Sequence, residues 1–270
     1  MEARDKQILP DAVQRIVEDI EAVTGCELEA IHNPGLRALS WTPFGGGCFA
    51  FARQFRRGSL NDTEITRFRV GFEYADCPLD AATAIHEIAH EAYTFLNHGW
   101  RLTYDPSLSL LPRTDSGFGY EFSDFLEHIF VYDLMKQCGA SLRKEMDYVA
   151  WLLSSLGRHP AGLARRIIGI MGWLTVCRCF PLFRPMAARE LTKDGLLSDA
   201  QELESRVHSD LTRPENSLRT FILSARALGI PPALIEVRQM VRSTDGRWGV
   251  AATAHGPLKL SDFSLPEEIS

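Results

Sequence analysis

Ala84-Ile85-His86-Glu87-Ile88-Ala89-His90 sets two imidazoles four residues apart around a glutamate, within a run of helix-forming residues. Residues at i and i+4 on a helix share a face, with Cβ atoms about 5–6 Å apart, so His86 and His90 can reach one ion. Imidazole nitrogen suits a zinc ion (Zn2+), and a catalytic zinc takes three protein ligands and keeps its fourth position open. Glu87, one step round the helix, can then act as general base, taking the proton of an attacking water and passing it to a leaving amine. Pro78, Asp80, Ala81, Ala82 and Ala84 mark the start of this helix, and Ile85, Ile88, Ala89, Ala92 and Phe95 supply its buried side. The competing reading is a plain core helix holding two satisfied histidines.

Through His86-Glu87-Ile88-Ala89-His90 the chain resembles the zincin superfamily of metallopeptidases. It is not similar to the metzincin branch, which carries a glycine three residues after the second histidine and a histidine six after, where this chain has Tyr93 and Leu96. Glu91 also departs from the pattern, since zinc peptidases usually have an uncharged residue there. A third ligand must therefore come from another segment.

The segment from Gly119 to Met135 is the best source: a second helix candidate, apolar overall, yet bearing Glu121, Asp124, Glu127, His128 and Asp133. In gluzincins the third ligand is a glutamate on a downstream helix that packs against the motif helix. The resemblance gives that role to Glu127, which is followed by Leu134 and Met135 much as in the ligand helix of ImmA/IrrE-type metallopeptidases. The alanine and asparagine that follow the glutamate in that family are missing here. Asp124, one turn earlier, is the expected second acceptor behind a metal-bound histidine. Glu121 competes as ligand, because Glu121-Phe122-Ser123-Asp124 is similar to the thermolysin-type ligand motif with one residue missing. Asp105 and His98 are further alternatives, although Asn97-His98-Gly99 reads better as the end of the motif helix. A donor to the transition-state oxyanion is also needed; Tyr120, His128 and Tyr132 are candidates, and the sequence does not separate them.

Thr66 to Tyr74 alternates, with Phe68, Val70, Phe72 and Tyr74 on one side and Arg67, Arg69 and Glu73 on the other, which predicts a half-buried strand. The zincin resemblance makes this strand, or its neighbour, the rim along which an extended substrate pairs; the alternative is an interior strand. Leu36 to Trp41 and Cys48 to Phe51 read as two more strands joined through Pro43-Phe44-Gly45-Gly46-Gly47. No Lys-Ser or Lys-Thr follows those glycines, so they do not read as a phosphate loop. The predicted fold class is α+β: a small, mostly antiparallel sheet packed on the motif helix, then a largely helical C-terminal half. Residues 1–144 form the zincin-like core and 145–270 the helical lobe, with helices at Leu142 to Leu156, Gly162 to Cys177, Pro185 to Leu211 broken near Gly195, Ser217 to Leu228 and Pro232 to Arg242. The tail after Thr244 reads as peripheral.

At 270 residues and 45% apolar content the chain can bury a sizeable core, and a net charge of −6 argues against a general nucleic-acid binder. Between Asp147 and Glu190 lie Arg158, Arg165, Arg166, Arg178, Arg184 and Arg189 with no acidic residue. The apolar run from Ile167 to Val176 is too short to span a bilayer and reads as a buried helix with arginine ends. The other reading is a surface for an acidic partner or a membrane face. Cys177 and Cys179 read as buried thiols, and the N-terminus lacks a signal peptide's apolar core, which together place the protein in the cytoplasm. The function expected is a zinc-dependent peptidase acting on an intracellular protein or peptide. The alternatives are a binding or regulatory protein on a zincin scaffold, against which an intact Glu87 speaks, and a zinc hydrolase of a small amide.

Overall fold

The computed structural model describes residues 9–34, 70–74, 79–97, 100–104, 122–159, 161–207, 210–211, 213–229, 235–242 and 248–252, and the structural statements below concern these. Helix α1 (Asp11–Thr24) buries Val13, Val17, Ile20 and Thr24, a stripe at helical spacing. It stops at Gly25, whose φ of 69° is cheap only without a Cβ. The Glu21 carboxylate on its last turn accepts the Leu28 amide at 2.9 Å and so starts strand β1 (Leu28–His32).

Strand β2 (Val70–Tyr74) pairs with β1 in parallel, from Leu28 opposite Val70 to His32 opposite Tyr74. This corrects the antiparallel expectation. A parallel pair needs a long crossover rather than a hairpin, and residues 33–69 provide the length. The half-buried expectation is corrected as well: Val70, Gly71, Phe72, Glu73 and Tyr74 are all buried. Asn33 extends the ladder by donating its amide to the Tyr74 carbonyl at 2.7 Å, while its side chain donates to the Glu73 carboxylate at 2.7 Å. Gly71 lies so close to β1 that a Cβ would stand 1.9 Å from the Glu29 carbonyl oxygen. The strands expected at Leu36 to Trp41 and Cys48 to Phe51 lie outside the described residues.

Helix α2 (Ala81–Phe95) carries the His-Glu-x-x-His motif and starts where the sequence predicts. The Asp80 carboxylate caps it, accepting the Thr83 amide at 3.3 Å and the Thr83 hydroxyl at 2.9 Å, and Lys144 donates to the same oxygen at 3.0 Å. The predicted apolar positions are buried, as are Tyr93 and Thr94, and so are Glu87 and Glu91. Helix α2 packs on α1 and β2.

Strand β3 (Trp100–Tyr104) precedes helix α3 (Phe122–Gln137), which buries Leu126, Glu127, Ile129, Val131, Tyr132 and Met135. It ends at Gly139, with φ of 71°. Next come α4 (Arg143–Ser154), α5 (Leu163–Cys179), α6 (Arg184–Lys193), α7 (Leu197–Arg206) and α8 (Pro214–Leu228). The break expected near Gly195 separates α6 from α7. Two strands then follow, β4 (Ile235–Arg242) and β5 (Trp248–Ala252), in a sheet ordered β3-β4-β5. A helix was expected over Pro232 to Arg242 and a peripheral tail after Thr244. The strand wins at the first because Ile235, Val237 and Val241 alternate with Glu236, Arg238 and Arg242 at a period of two. The class is α+β, as expected.

The chain divides into two compact units that each take several segments: residues 1–99, 130–144 and 239–251 in one, and 100–129, 145–238 and 252–270 in the other. One boundary falls between Lys144 and Glu145, and another falls within α3, which is one unbroken helix.

Within the second unit α5 packs on α6 and α7. Gly169 and Gly172 let α5 approach its neighbours: a Cβ on either would come within 3.0 Å or less of a leucine side-chain carbon, from Leu196 and from Leu153 of α4 respectively. Ile167, Ile168, Ile170, Met171, Trp173, Leu174 and Val176 are buried, so the apolar run is a core helix, and no described helix is long and apolar enough to cross a membrane. Its arginines are answered by carboxylates just beyond the acid-free stretch. Arg165 pairs with Asp194 at 2.9 Å, Arg166 with Asp199 at 3.0 Å, and Arg184 with Glu204 at 3.1 Å. Arg189 meets Glu190 at 3.0 Å. Glu204 also accepts the Trp173 indole N–H at 2.8 Å. Cys177 and Cys179 form no disulfide.

Candidate metal centre

The motif helix brings His86 and His90 together as its periodicity requires. Their Nε2 atoms are 3.2 Å apart, with ring centroids 5.0 Å apart and planes at 60°. Two nitrogens bound to one tetrahedral zinc at about 2.0–2.1 Å would stand roughly 3.4 Å apart, so this pair already has the spacing of two zinc ligands. The Thr94 hydroxyl donates to the His90 carbonyl at 3.0 Å, fixing the backbone at the second histidine.

Glu87 projects beside the pair. Its Oε1 lies 3.9 Å from His86 Nε2, and the residue is 6% exposed. A buried carboxylate next to imidazole nitrogens is placed to exchange a proton with a molecule held against them.

Helix α3 lies alongside. Tyr132 sets its ring 6.2 Å from that of His86, and Phe130 sets its ring 5.3 Å from Tyr93. Two imidazole nitrogens at ligand spacing are a donor pair that zinc takes, so the residues present fit the ion.

Glu127, the expected third ligand, is buried at 7% exposure. Tyr120, Glu121, His98 and Asp105 lie outside the described residues. So does the side chain of Asp124, though its backbone opens the first turn of α3.

At the head of the motif helix, partial burial acts to raise the Asp80 carboxyl. The hydrogen bonds and charge of Lys144 and the hydrogen bonds of Thr83 outweigh it and hold Asp80 below the usual carboxylate range. An ionised cap at a helix N-terminus also complements the helix dipole. Compared with known proteins, the chain matches no family model, no curated protein and no solved structure.

Proposed function

We propose that this protein is a zinc-dependent peptidase in which His86 and His90 hold the ion with a third donor from α3, and Glu87 is the general base. The observation that carries the reading is the His86–His90 spacing of 3.2 Å between Nε2 atoms, with the Glu87 carboxylate beside it. When bound, zinc polarises a carbonyl oxygen and lowers the pKa of water towards about 7. Glu87 Oε1 accepts the proton of the attacking water, holds it through the tetrahedral stage, and returns it to the departing amine nitrogen. Burial of Glu87 limits competition from bulk water for that proton. The Tyr132 phenol is the donor we assign to the developing oxyanion, because its ring stands against His86.

The resemblance of His86-Glu87-Ile88-Ala89-His90 to zincins supports peptide-bond hydrolysis as the reaction. The looser similarity of α3 to the ImmA/IrrE-type ligand helix supports limited cleavage of a specific intracellular protein. Elemental analysis tests the metal: about one zinc per chain in the wild type, lost in a His86→Ala, His90→Ala double variant. Wild-type protein that takes up no zinc after reconstitution would reduce the motif to two core histidines. A degenerate fluorogenic peptide library then tests hydrolysis, and turnover that survives in the zinc-free double variant would remove the metal from the reaction.

A further inference from the structure

We infer that the turn between α5 and α6 is a docking tip for an anionic lipid surface, with Leu182 entering the headgroup layer and the basic residues around it meeting lipid phosphates.

The tip has the sequence Phe180-Pro181-Leu182-Phe183-Arg184-Pro185-Met186. Pro181–Phe183 form one 3-10 turn, and Pro185 lies in the first turn of α6. Phe180 is buried and anchors the turn, whereas Leu182 is 87% exposed, the most exposed large hydrophobic side chain among the described residues. Pro181 and Pro185 are exposed beside it, and Phe183 and Met186 are half-buried.

Backbone polarity is what normally bars a loop from lipid, because an unbonded N–H is costly away from water. Here the Phe180 amide donates to the Val176 carbonyl at 3.0 Å, the Phe183 amide to the Phe180 carbonyl at 2.9 Å, and the Arg184 amide to the Pro181 carbonyl. Pro181 and Pro185 have no N–H to desolvate. The tip thus offers apolar side chains on a backbone that has already spent most of its donors.

Charge selects the kind of surface. Residues 178–193 carry Arg178, Arg184, Arg189 and Lys193 against Glu190 alone, in a chain of net charge −6. The carboxylates that answer these cations sit lower. The Arg189 side chain is 69% exposed against 14% for its partner Glu190, Lys193 also stands further out than Glu190, and Arg184 further out than Glu204. The outermost charge is therefore positive, and an apolar tip ringed by cations suits anionic headgroups. A second copy of this chain is a poorer occupant. So few apolar side chains fall short of the roughly 800 Å2 per partner of a stable interface, and a tip-to-tip contact would set like charges against each other.

Flotation of the full chain with vesicles tests the inference, using phosphatidylcholine alone and phosphatidylcholine with phosphatidylglycerol in equal parts. Binding is expected to the anionic vesicles, to fall as salt rises, and to be weak on the neutral ones. Leu182→Asp should lower the partition coefficient by at least about tenfold, since burying a leucine is worth roughly 10–100-fold. The double variant Arg189→Gln, Lys193→Gln should lower it by about 25-fold, at about fivefold for each cation. Leu182→Trp should bind as well as wild type or better, and brominated acyl chains should quench its added fluorescence. No binding to anionic vesicles, or equal binding by wild type and Leu182→Asp, would overturn the inference. Concentration-dependent self-association abolished by Leu182→Asp, without vesicle binding, would also overturn it and give the tip to a second copy.

Discussion

His86 and His90 face one another through their Nε2 atoms at 3.2 Å, one helical turn apart on a helix whose surroundings exclude most water. Two imidazoles at this distance either share a proton or share an ion, and both arrangements put the same demand on the helix beneath them. The motif helix must be held straight and correctly turned, which its cap, its buried side and α3 accomplish together.

In the proposed reaction Glu87 carries the proton and is assigned no place among the metal donors. Glu87→Gln is therefore expected to retain zinc at wild-type stoichiometry and to lose about two to four orders of magnitude in turnover of the peptide library. Atomic absorption and the library assay are run on the same preparation. A variant that loses its zinc would give Glu87 a ligand's role instead.

The parallel pair of β1 and β2 depends on Gly71, because a methyl there would meet the Glu29 carbonyl at 1.9 Å. Gly71→Ala should separate the strands and cost about 3 kcal/mol, the upper end of overpacking penalties. Urea unfolding gives the value. A midpoint equal to wild type would mean that the two strands do not approach as described.

Asp80 caps the motif helix, and Asp80→Ala should cost about 1 kcal/mol. The pH dependence has a definite sign. A carboxylate whose folded pKa is depressed contributes stability that is present above its unfolded pKa and lost as pH falls through the folded one. The gap in melting temperature between wild type and Asp80→Ala should thus be constant near neutrality and close below about pH 4. Lys144→Ala should cost less than Asp80→Ala, since the Lys144–Asp80 pair is solvent-exposed. A gap that widens on acidification would contradict the capping role.

Burial first, and then the Glu204 carboxylate, push the Cys177 thiol up to about 12. Alkylation proceeds through the thiolate, so at pH 8 Cys177 should react with iodoacetamide on the order of 1,000-fold more slowly than an unperturbed thiol. Peptide mapping after timed labelling measures it. Rapid labelling in the folded protein would mean that α5 opens far more readily than its packing implies.

Several features were legible in the residues because they are local. The Asp80 cap, the alanine-rich first turn, the buried side of the motif helix and the break at Gly195 each follow from backbone geometry within a few residues. The apolar run of α5 was read correctly as core for the same reason. Charge was harder to read. Arg165, Arg166 and Arg184 stand in an acid-free stretch, yet Asp194, Asp199 and Glu204 reach back to them from the following helices. The alternation through Ile235, Val237 and Val241 signalled a strand that the helical neighbourhood obscured.

Sequence alone determined that two imidazoles and a carboxylate share one helix, because i and i+4 positions coincide on any α-helix whatever packs around it. Tertiary structure alone decided that the Tyr132 ring of α3 stands beside His86, because that contact joins residues far apart in the chain and depends on how the two helices pack. The parallel sense of β1 and β2 has the same origin, since strand direction depends on where a long connection returns and not on the side chains within the strands.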